Sequence, residues 1–247
     1  MTYCIGFLVR EGLVMMADTR TNAGVDNVST YRKLRVHAND GDRLIVSASA
    51  GSLSTTQEAV QRLQHGVPNP ETGDADTFES VASIHEAARA AGRAVRAARD
   101  GMESLQQDHV SFDATLLVGG AVGGEPLRLF LVYSAGNCIE CGADTPYLQI
   151  GEHKYGKPIL DRVLTHDTGL YEAVKVGLIS YSSTMRSNLA VGLPIDIVTA
   201  RQGRPGAELV HRIEAGDRYF ADLSRSWSEV INQACASTPP VPFVPAR

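Results

Sequence analysis

The sequence has few cysteines, no excess of basic residues and no long apolar segment, and each absence excludes a class of protein. Four cysteines in 247 residues are too few for a disulfide-stabilised secreted scaffold. Lys and Arg number 23 against 28 Asp and Glu, so the basic face of a nucleic-acid binder is not expected. No apolar run approaches a membrane span of roughly 18–20 residues, and the first residues lack the features of a signal peptide. We expect a cytoplasmic protein without nucleic-acid or membrane partners.

Two of the cysteines, Cys138 and Cys141, form a C-x-x-C pair. A structural zinc site usually takes four ligands, and the sequence offers no second pair to complete this one. A redox pair would stand at the start of a helix, whereas this pair lies in a strand-like segment. The pair is interpreted as two incidental thiols, and we expect neither a metal nor a cofactor.

The order of predicted elements favours an α+β fold. Hairpins come first, followed by two helices, three more strands, two helices, a hairpin and a last helix. This order predicts a four-layer αββα sandwich, with helices outside and two sheets packed together. Residues 1–236 are predicted to form a single domain and residues 237–247 a proline-rich tail. The predicted strands are 3–9, 13–18, 34–37, 44–49, 114–121, 127–133, 137–143, 193–200 and 208–213, and the predicted helices are 55–65, 77–102, 157–164, 170–180 and 217–234.

A stripe of small apolar residues marks the longest predicted helix. These residues recur every three or four positions from Val81 to Met102, and Asp76 is in place to cap the helix. We expect both this stripe and the proline-rich tail to need a partner. The sequence therefore predicts a large homo-oligomer, either a closed ring or an open spiral.

Thr2 is the first candidate for chemistry. Removal of Met1, which a small second residue permits, would leave Thr2 with a free α-amine. Such an amine has a pKa of about 7.7–8.0 and can act as a general base near neutral pH. A hydroxyl nucleophile and its base would then share one residue, which is a known nucleophilic arrangement.

The first 51 residues resemble the N-terminus of proteasome β-subunits. Thr2 matches the family's nucleophile, and Asp18 its buried aspartate within the stretch D-T-R-T-N-A-G. Lys33, followed by an apolar residue, matches the catalytic lysine, and Ala50-Gly51 follows an apolar strand as in the family. The blocks Y-R-K-L and S-T-M-R-S-N-L-A-V-G-L-P-I-D resemble the bacterial Anbu branch, the ancestral β-subunit. The resemblance covers nearly the whole chain and implies the same αββα fold.

The resemblance also implies a role for each matching residue. Thr2 would attack an amide carbonyl while its own amine accepts the proton. Lys33 would lower the pKa of the Thr2 hydroxyl, and Asp18 would keep Lys33 charged and oriented. The Gly51 N–H would donate to the oxyanion, and Asn22 would align the substrate as an added strand. The implied function is a threonine peptidase or amidase within a homo-oligomer.

Three departures from the family pattern bear on this function. Lys33 follows Asp18 after fifteen positions, one fewer than usual, which makes Arg32 a rival for the lysine position. Glu152 stands where the family has a serine near the amine, so we expect it to modulate the site. Ser187 aligns with a second serine of the family, but Thr184 replaces the aspartate that accompanies it.

Two other functions stay open at this point. The chain would be a non-catalytic assembly subunit if Met1 is retained, because an amide nitrogen on Thr2 is not a base. It would be a small-amide hydrolase or acyl transferase if the same fold serves a smaller substrate. The expected partners are other copies of the chain and a peptide or amide substrate; an activator is a further candidate that the sequence does not identify.

Overall fold

The computed structural model describes residues 2–22, 28–102 and 111–243, without the side chains of Asn22 and Val28. The chain divides into two compact units, Met1–Ala215 and Gly216–Arg247. The predicted domain boundary after residue 236 stays a prediction. Gly24 of the N-terminal motif lies outside the described residues.

The strands and helices of the first unit follow the predicted order. Its strands are β1 (Tyr3–Val9), β2 (Gly12–Asp18), β3 (Arg20–Asn22), β4 (Val28–Thr30), β5 (Leu34–Asn39), β6 (Arg43–Gly51), β7 (Val67–Pro68), β8 (Ala75–Asp76), β9 (Ala114–Val122), β10 (Arg128–Val132), β11 (Cys138–Glu140), β12 (Tyr147–Gly151), β13 (Ile195–Arg201) and β14 (Leu209–Ile213). Its helices are α1 (Leu53–His65), α2 (Ile84–Asp100), α3 (Lys157–Val163) and α4 (Leu170–Ser187). The second unit contains α5 (Arg218–Ser237).

Two antiparallel sheets of five strands form the centre of the first unit. The first sheet has the order β12-β1-β2-β13-β14, and the second has the order β11-β10-β9-β6-β5. In the first sheet β1 lies between β12 and β2, with Tyr3 opposite Gly151 and Cys4 opposite Ala17. The first described residues of the chain therefore enter an inner strand of the sheet, with a neighbouring strand on each side.

Apolar side chains bury three interfaces between four layers. Inward-facing residues of both sheets, such as Met15 and Leu117, pack in one core between the sheets. Helices α1 and α2 cover the outer face of the second sheet. Helix α4 covers the first sheet, and Gly177 lets it approach Phe7 and Met16 closely. The predicted αββα sandwich is confirmed.

Several predicted helix limits and one predicted surface are wrong. Helix α1 begins two residues before the predicted start, because Ser52 caps it. Helix α2 begins at Ile84 instead of directly after Asp76, because Ser83 caps it and Asp76 pairs with Arg93 in front of it. The small-residue stripe of α2 packs within the chain against α1, β9 and β10, so it needs no second copy. Helix α4 continues seven residues past its predicted end at Ser180.

The two cysteines of the C-x-x-C pair belong to different cores. Cys138 packs beside the core under α1 and α2, whereas Cys141 lies in the core between the sheets. Burial raises the pKa of the Cys141 thiol to about 12, which makes it a poor nucleophile. Among the described residues there is no cluster of His, Cys, Asp or Glu that could hold a metal ion. None of the described helices is long and apolar enough to cross a membrane.

Candidate functional site

Thr2 stands at the start of β1, where the main chain is fixed by β12. The Thr2 carbonyl accepts a hydrogen bond from the Glu152 N–H at 2.6 Å. Gly151 adopts a φ of +82°, and a Cβ there would lie 2.0 Å from the Thr2 carbonyl oxygen. Only glycine fits this left-handed position beside the strand. The Gly151-Glu152 turn thus fixes the main chain of Thr2.

Asp18 and Lys33 form a buried ion pair next to Thr2. Lys33 Nζ donates to Asp18 Oδ1 at 2.7 Å and to the Arg20 carbonyl at 2.5 Å. Asp18 ends β2, directly across from the first residues of β1, and its Oδ1 also accepts the Tyr3 N–H at 3.0 Å. The exposed fractions of Asp18 and Lys33 are 0% and 5%. The aspartate therefore joins the lysine to the residue that follows Thr2.

Opposing influences act on the Asp18 carboxyl. Burial raises its pKa, and the Lys33 ammonium together with the main-chain N–H groups of Tyr3 and Gly192 opposes that rise. The Gly192 N–H reaches Asp18 Oδ2 at 3.4 Å. Two main-chain N–H donors and one ammonium thus favour the ionised form of this carboxylate and offset part of the effect of burial. Lys33 is thereby held by a charge partner that cannot rotate into solvent.

The structure separates the two rivals for the lysine position. Lys33 points to Asp18, whereas the Arg32 side chain is 65% exposed and lies 3.8 Å from Asp196. Arg32 and Asp196 line a different cleft of about 740 Å³ between β5 and β14. Lys33 is therefore the cation in the candidate site, despite the shortened spacing.

Thr2, Lys33 and Gly51 meet in one cleft of about 540 Å³. Gly51 ends β6 with a φ of +104°, and a Cβ there would lie 2.3 Å from the Asp113 carbonyl oxygen. This position requires glycine and leaves its main chain at the cleft surface. The remaining lining is small or neutral except for one carboxylate: Thr21, Ser49, Ala50, Leu53, Thr56, Gly151 and Glu152.

Glu152 is the acidic group of this cleft. It is 8% exposed. Its Oε1 accepts the Lys154 N–H at 3.1 Å, and its Oε2 accepts from Asn188 Nδ2 at 3.0 Å. The side chain is thus held at the cleft and does not extend into solvent. The contact with Asn188 was not predicted from the sequence.

The two other positions aligned with the family's serine and aspartate lie outside the cleft. Ser187 is exposed in the last turn of α4, and it does not line the cleft. Thr184 is buried, and its hydroxyl donates to the Ser180 carbonyl within the same helix at 2.9 Å. The neighbour of Ser187, Asn188, makes the contact to the site instead. Asn22 belongs to β3, but its side chain is outside the described residues.

This arrangement can support attack by a hydroxyl on an amide carbonyl. A hydroxyl at Thr2 faces a cleft that also contains an ammonium and a glycine main chain. An ammonium lowers the pKa of a nearby hydroxyl, and a main-chain N–H can stabilise an oxyanion. The cleft is large enough for several atoms of an extended peptide chain.

Comparisons with solved structures identify the relatives of the chain. A Gly-1 mutant of Anbu from Hyphomicrobium sp. strain MC1 is 42% identical, over 98% of this chain and 99% of its own, with a TM-score of 0.88. Anbu (ancestral β-subunit) from Yersinia bercovieri is 43% identical, over 98% of this chain and 100% of its own, with a TM-score of 0.87. The Pseudomonas aeruginosa protein, solved as a helical assembly of the Anbu complex, is 36% identical, over 98% of each chain, with a TM-score of 0.86.

Searches against family models and against curated proteins give no match. The family of the chain is therefore assigned from the solved structures. They match 98% of the chain at identities of 36% to 43%, which is similar enough to show the family and not only the fold. The chain therefore belongs to the Anbu family, the proteasome-β-subunit-like proteins that the sequence predicted.

Proposed function

We propose that the protein is a threonine peptidase or amidase that acts within a homo-oligomer. The observation that carries this proposal is the hydrogen-bonded series from Lys33 through Asp18 to the Tyr3 N–H, which ends beside Thr2 in a cleft that Gly51 also lines. Any one of these residues, taken alone, could have a purely structural role. Their position around one cleft supports a catalytic role for the group.

The proposed reaction begins with attack of Thr2 Oγ on the substrate carbonyl carbon. The free amine of Thr2 accepts the hydroxyl proton, directly or through a water molecule, and Lys33 stabilises the developing alkoxide. The Gly51 N–H stabilises the oxyanion of the tetrahedral intermediate. Collapse of the intermediate passes the proton to the leaving amine and leaves an ester on Thr2. Water then hydrolyses this ester and restores the hydroxyl.

The lining of the cleft supports a neutral or basic substrate side chain next to the scissile bond, and disfavours an acidic one. Ser49, Ala50 and Leu53 are small or apolar, and the two charged residues of the cleft are Lys33, paired with Asp18, and Glu152, held by Asn188. An acidic side chain entering here would meet no unpaired cation among these residues, whereas the Glu152 carboxylate, whose two described donors are neutral, would attract a basic one. The cytoplasmic location predicted from the sequence stays part of the proposal.

The oligomeric part of the proposal rests on a relative. The Pseudomonas aeruginosa protein forms a helical assembly, and this chain matches it over 98% of each chain. A head-to-tail interface whose rotation does not close generates such a helix instead of a ring. We propose that this protein assembles with copies of itself in the same manner.

Hydrolysis of neutral peptides by the purified protein tests the function. Wild type should release the amine product, and Thr2→Ala should show no turnover above background. Thr72→Ala, in an exposed turn that does not line the cleft, is the matched control and should behave as wild type. Turnover by Thr2→Ala equal to that of wild type would refute the proposal, and no turnover by wild type on peptides and small amides would favour a non-catalytic assembly subunit.

A further inference from the structure

The peptide unit that joins Thr2 to Tyr3 is hydrogen-bonded on both sides. Its carbonyl accepts the Glu152 N–H at 2.6 Å, and its N–H donates to Asp18 Oδ1 at 3.0 Å. The carbonyl and the N–H of a trans peptide unit point in opposite directions. Thr2 therefore stands between Glu152 on the β12 side of β1 and the Asp18–Lys33 pair on the β2 side.

The two sides of the cleft differ in charge. Lys33 Nζ donates to Asp18 Oδ1 at 2.7 Å, so the cation on the β2 side is compensated by a buried anion. The Glu152 carboxylate has two described donors, the Lys154 main-chain N–H and the Asn188 side-chain amide, and both are neutral. The β12 side of the cleft is therefore negative.

The Glu152 carboxylate has room for a further donor. A carboxylate can accept about four hydrogen bonds, and the two described donors take one position on each oxygen. Glu152 is 8% exposed and lines the cleft, so a further donor reaches it from the cleft. The Thr2 amine is uncharged when it acts as the base and then does not compensate this carboxylate. A guanidinium or an ammonium is the complementary group.

The direction of the substrate follows from the strand that would align it. Lys33 Nζ donates to a main-chain carbonyl of β3 at 2.5 Å, and Thr21 of β3 lines the cleft, so β3 lies on the Lys33 side. Asn22 of β3 is the residue expected to align the substrate as an added strand. The acyl part of a substrate aligned in this way lies on the Lys33 side of Thr2. The part that carries the leaving amine then continues towards Glu152.

We propose that Glu152 is a specificity-determining residue, which selects an arginine or lysine as the first residue after the scissile bond. The assignment to this side of the scissile bond rests on the proposed function, whereas the binding of a basic side chain at Glu152 does not. The preferred substrates are then peptides whose leaving amine belongs to a basic residue.

Two peptides that differ only in charge at this residue test the proposal. They carry arginine or the neutral analogue citrulline after the scissile bond and are internally quenched, and mass spectrometry of the products locates the cut. We expect wild type to favour the arginine peptide in kcat/KM by roughly 10-fold to 100-fold, as for a hydrogen bond to a charged group. Glu152→Gln should lose most of this preference. Glu172→Gln, which changes an exposed acid of α4 that does not line the cleft, is the matched control and should keep it.

The ratio for the two peptides separates this role from an effect on the Thr2 amine. A carboxylate that acts only on the amine changes the turnover of both peptides by the same factor. An unchanged ratio in Glu152→Gln would therefore overturn the proposal. A cut that leaves the arginine before the scissile bond would overturn the assigned side.

Binding to Thr2→Ala provides a readout that does not depend on turnover. Calorimetry should show tighter binding of the arginine peptide than of the citrulline peptide, and Thr2→Ala/Glu152→Gln should bind the two peptides equally. Equal affinities of Thr2→Ala for both peptides would overturn the proposal. If wild type cleaves neither peptide while Thr2→Ala prefers the arginine peptide, the proposed function fails and the site for a basic side chain stands.

Discussion

Replacing Lys33 with methionine keeps the length of the side chain but removes the ammonium that faces Asp18. The carboxylate stays fully buried, and its described donors are reduced to the N–H groups of Tyr3 and Gly192. Removing one partner of a buried ion pair typically costs about 3–5 kcal/mol of the free energy of unfolding. Because two donors remain, we expect the free energy of unfolding to fall by about 3 kcal/mol at pH 8.

The loss should depend on pH in a direction that the burial of Asp18 fixes. Burial already raises the pKa of this carboxyl, and the Lys33 ammonium opposes the rise. In Lys33→Met the folded-state pKa therefore rises further above its unfolded value. Between the two values the folded state binds more protons than the unfolded state, so its stability falls as pH rises. The difference between variant and wild type should shrink between pH 8 and pH 5.

Equilibrium unfolding in urea at a fixed protein concentration measures both effects. The double variant Asp18→Asn/Lys33→Met removes both charges and is the matched control; it should recover part of the lost stability and show little of the pH dependence. A Lys33→Met variant within about 1 kcal/mol of wild type at pH 8 would refute the reasoning, because breaking a buried pair should cost more. A deficit that grows on acidification would refute the assigned direction of the pKa change.

Three further predictions address other parts of the molecule. Glu152→Gln removes a negative charge beside Thr2, which should lower the pKa of the Thr2 amine and move the rising limb of the pH–rate profile to lower pH; superimposable profiles would show that this carboxylate does not influence the amine. Burial lowers the pKa of His37 to about 4, so the folded state of wild type should lose stability as the pH falls from about 6.5 to 4. The His37→Gln variant should lose less stability over the same range. Equal losses of the two proteins in urea unfolding would exclude His37 as the cause. Wild type should sediment as a large oligomer, and a monomer at micromolar concentration would contradict self-assembly. A chain lacking residues 238–247 should sediment as a smaller particle. An unchanged sedimentation profile of this shortened chain would show that the tail does not contribute to assembly.

Local patterns predicted most of the fold. The hairpin of β1 and β2 follows from two apolar runs around a short turn, and the order of the remaining elements gives the four layers. The strand β12 was missed, because its five residues become a strand by pairing with β1 and carry little signal of their own. The start of α2 was misplaced because Asp76 resembles a cap, whereas Ser83 and Glu86 form the actual capping contacts.

The residues of the candidate site that lie near each other in the sequence were predicted correctly as neighbours in space. Thr2, Asp18, Lys33 and Gly51 lie within the first 51 residues, and the structure brings all four to one place. The distant parts were less predictable. Ending α4 at Ser180 obscured which residue of the following segment faces the cleft, and so Asn188 was missed beside Ser187.

The state of the N-terminus tests the central claim most directly, since the proposed chemistry needs a free amine on Thr2. Intact mass of the purified protein, before and after treatment with an electrophile that traps N-terminal threonines, measures this state. The account predicts a mass without Met1 and a single adduct, mapped to Thr2 by peptide sequencing and missing in Thr2→Ala. Retained Met1 in a sample that hydrolyses peptide, or an adduct on another residue, would contradict it.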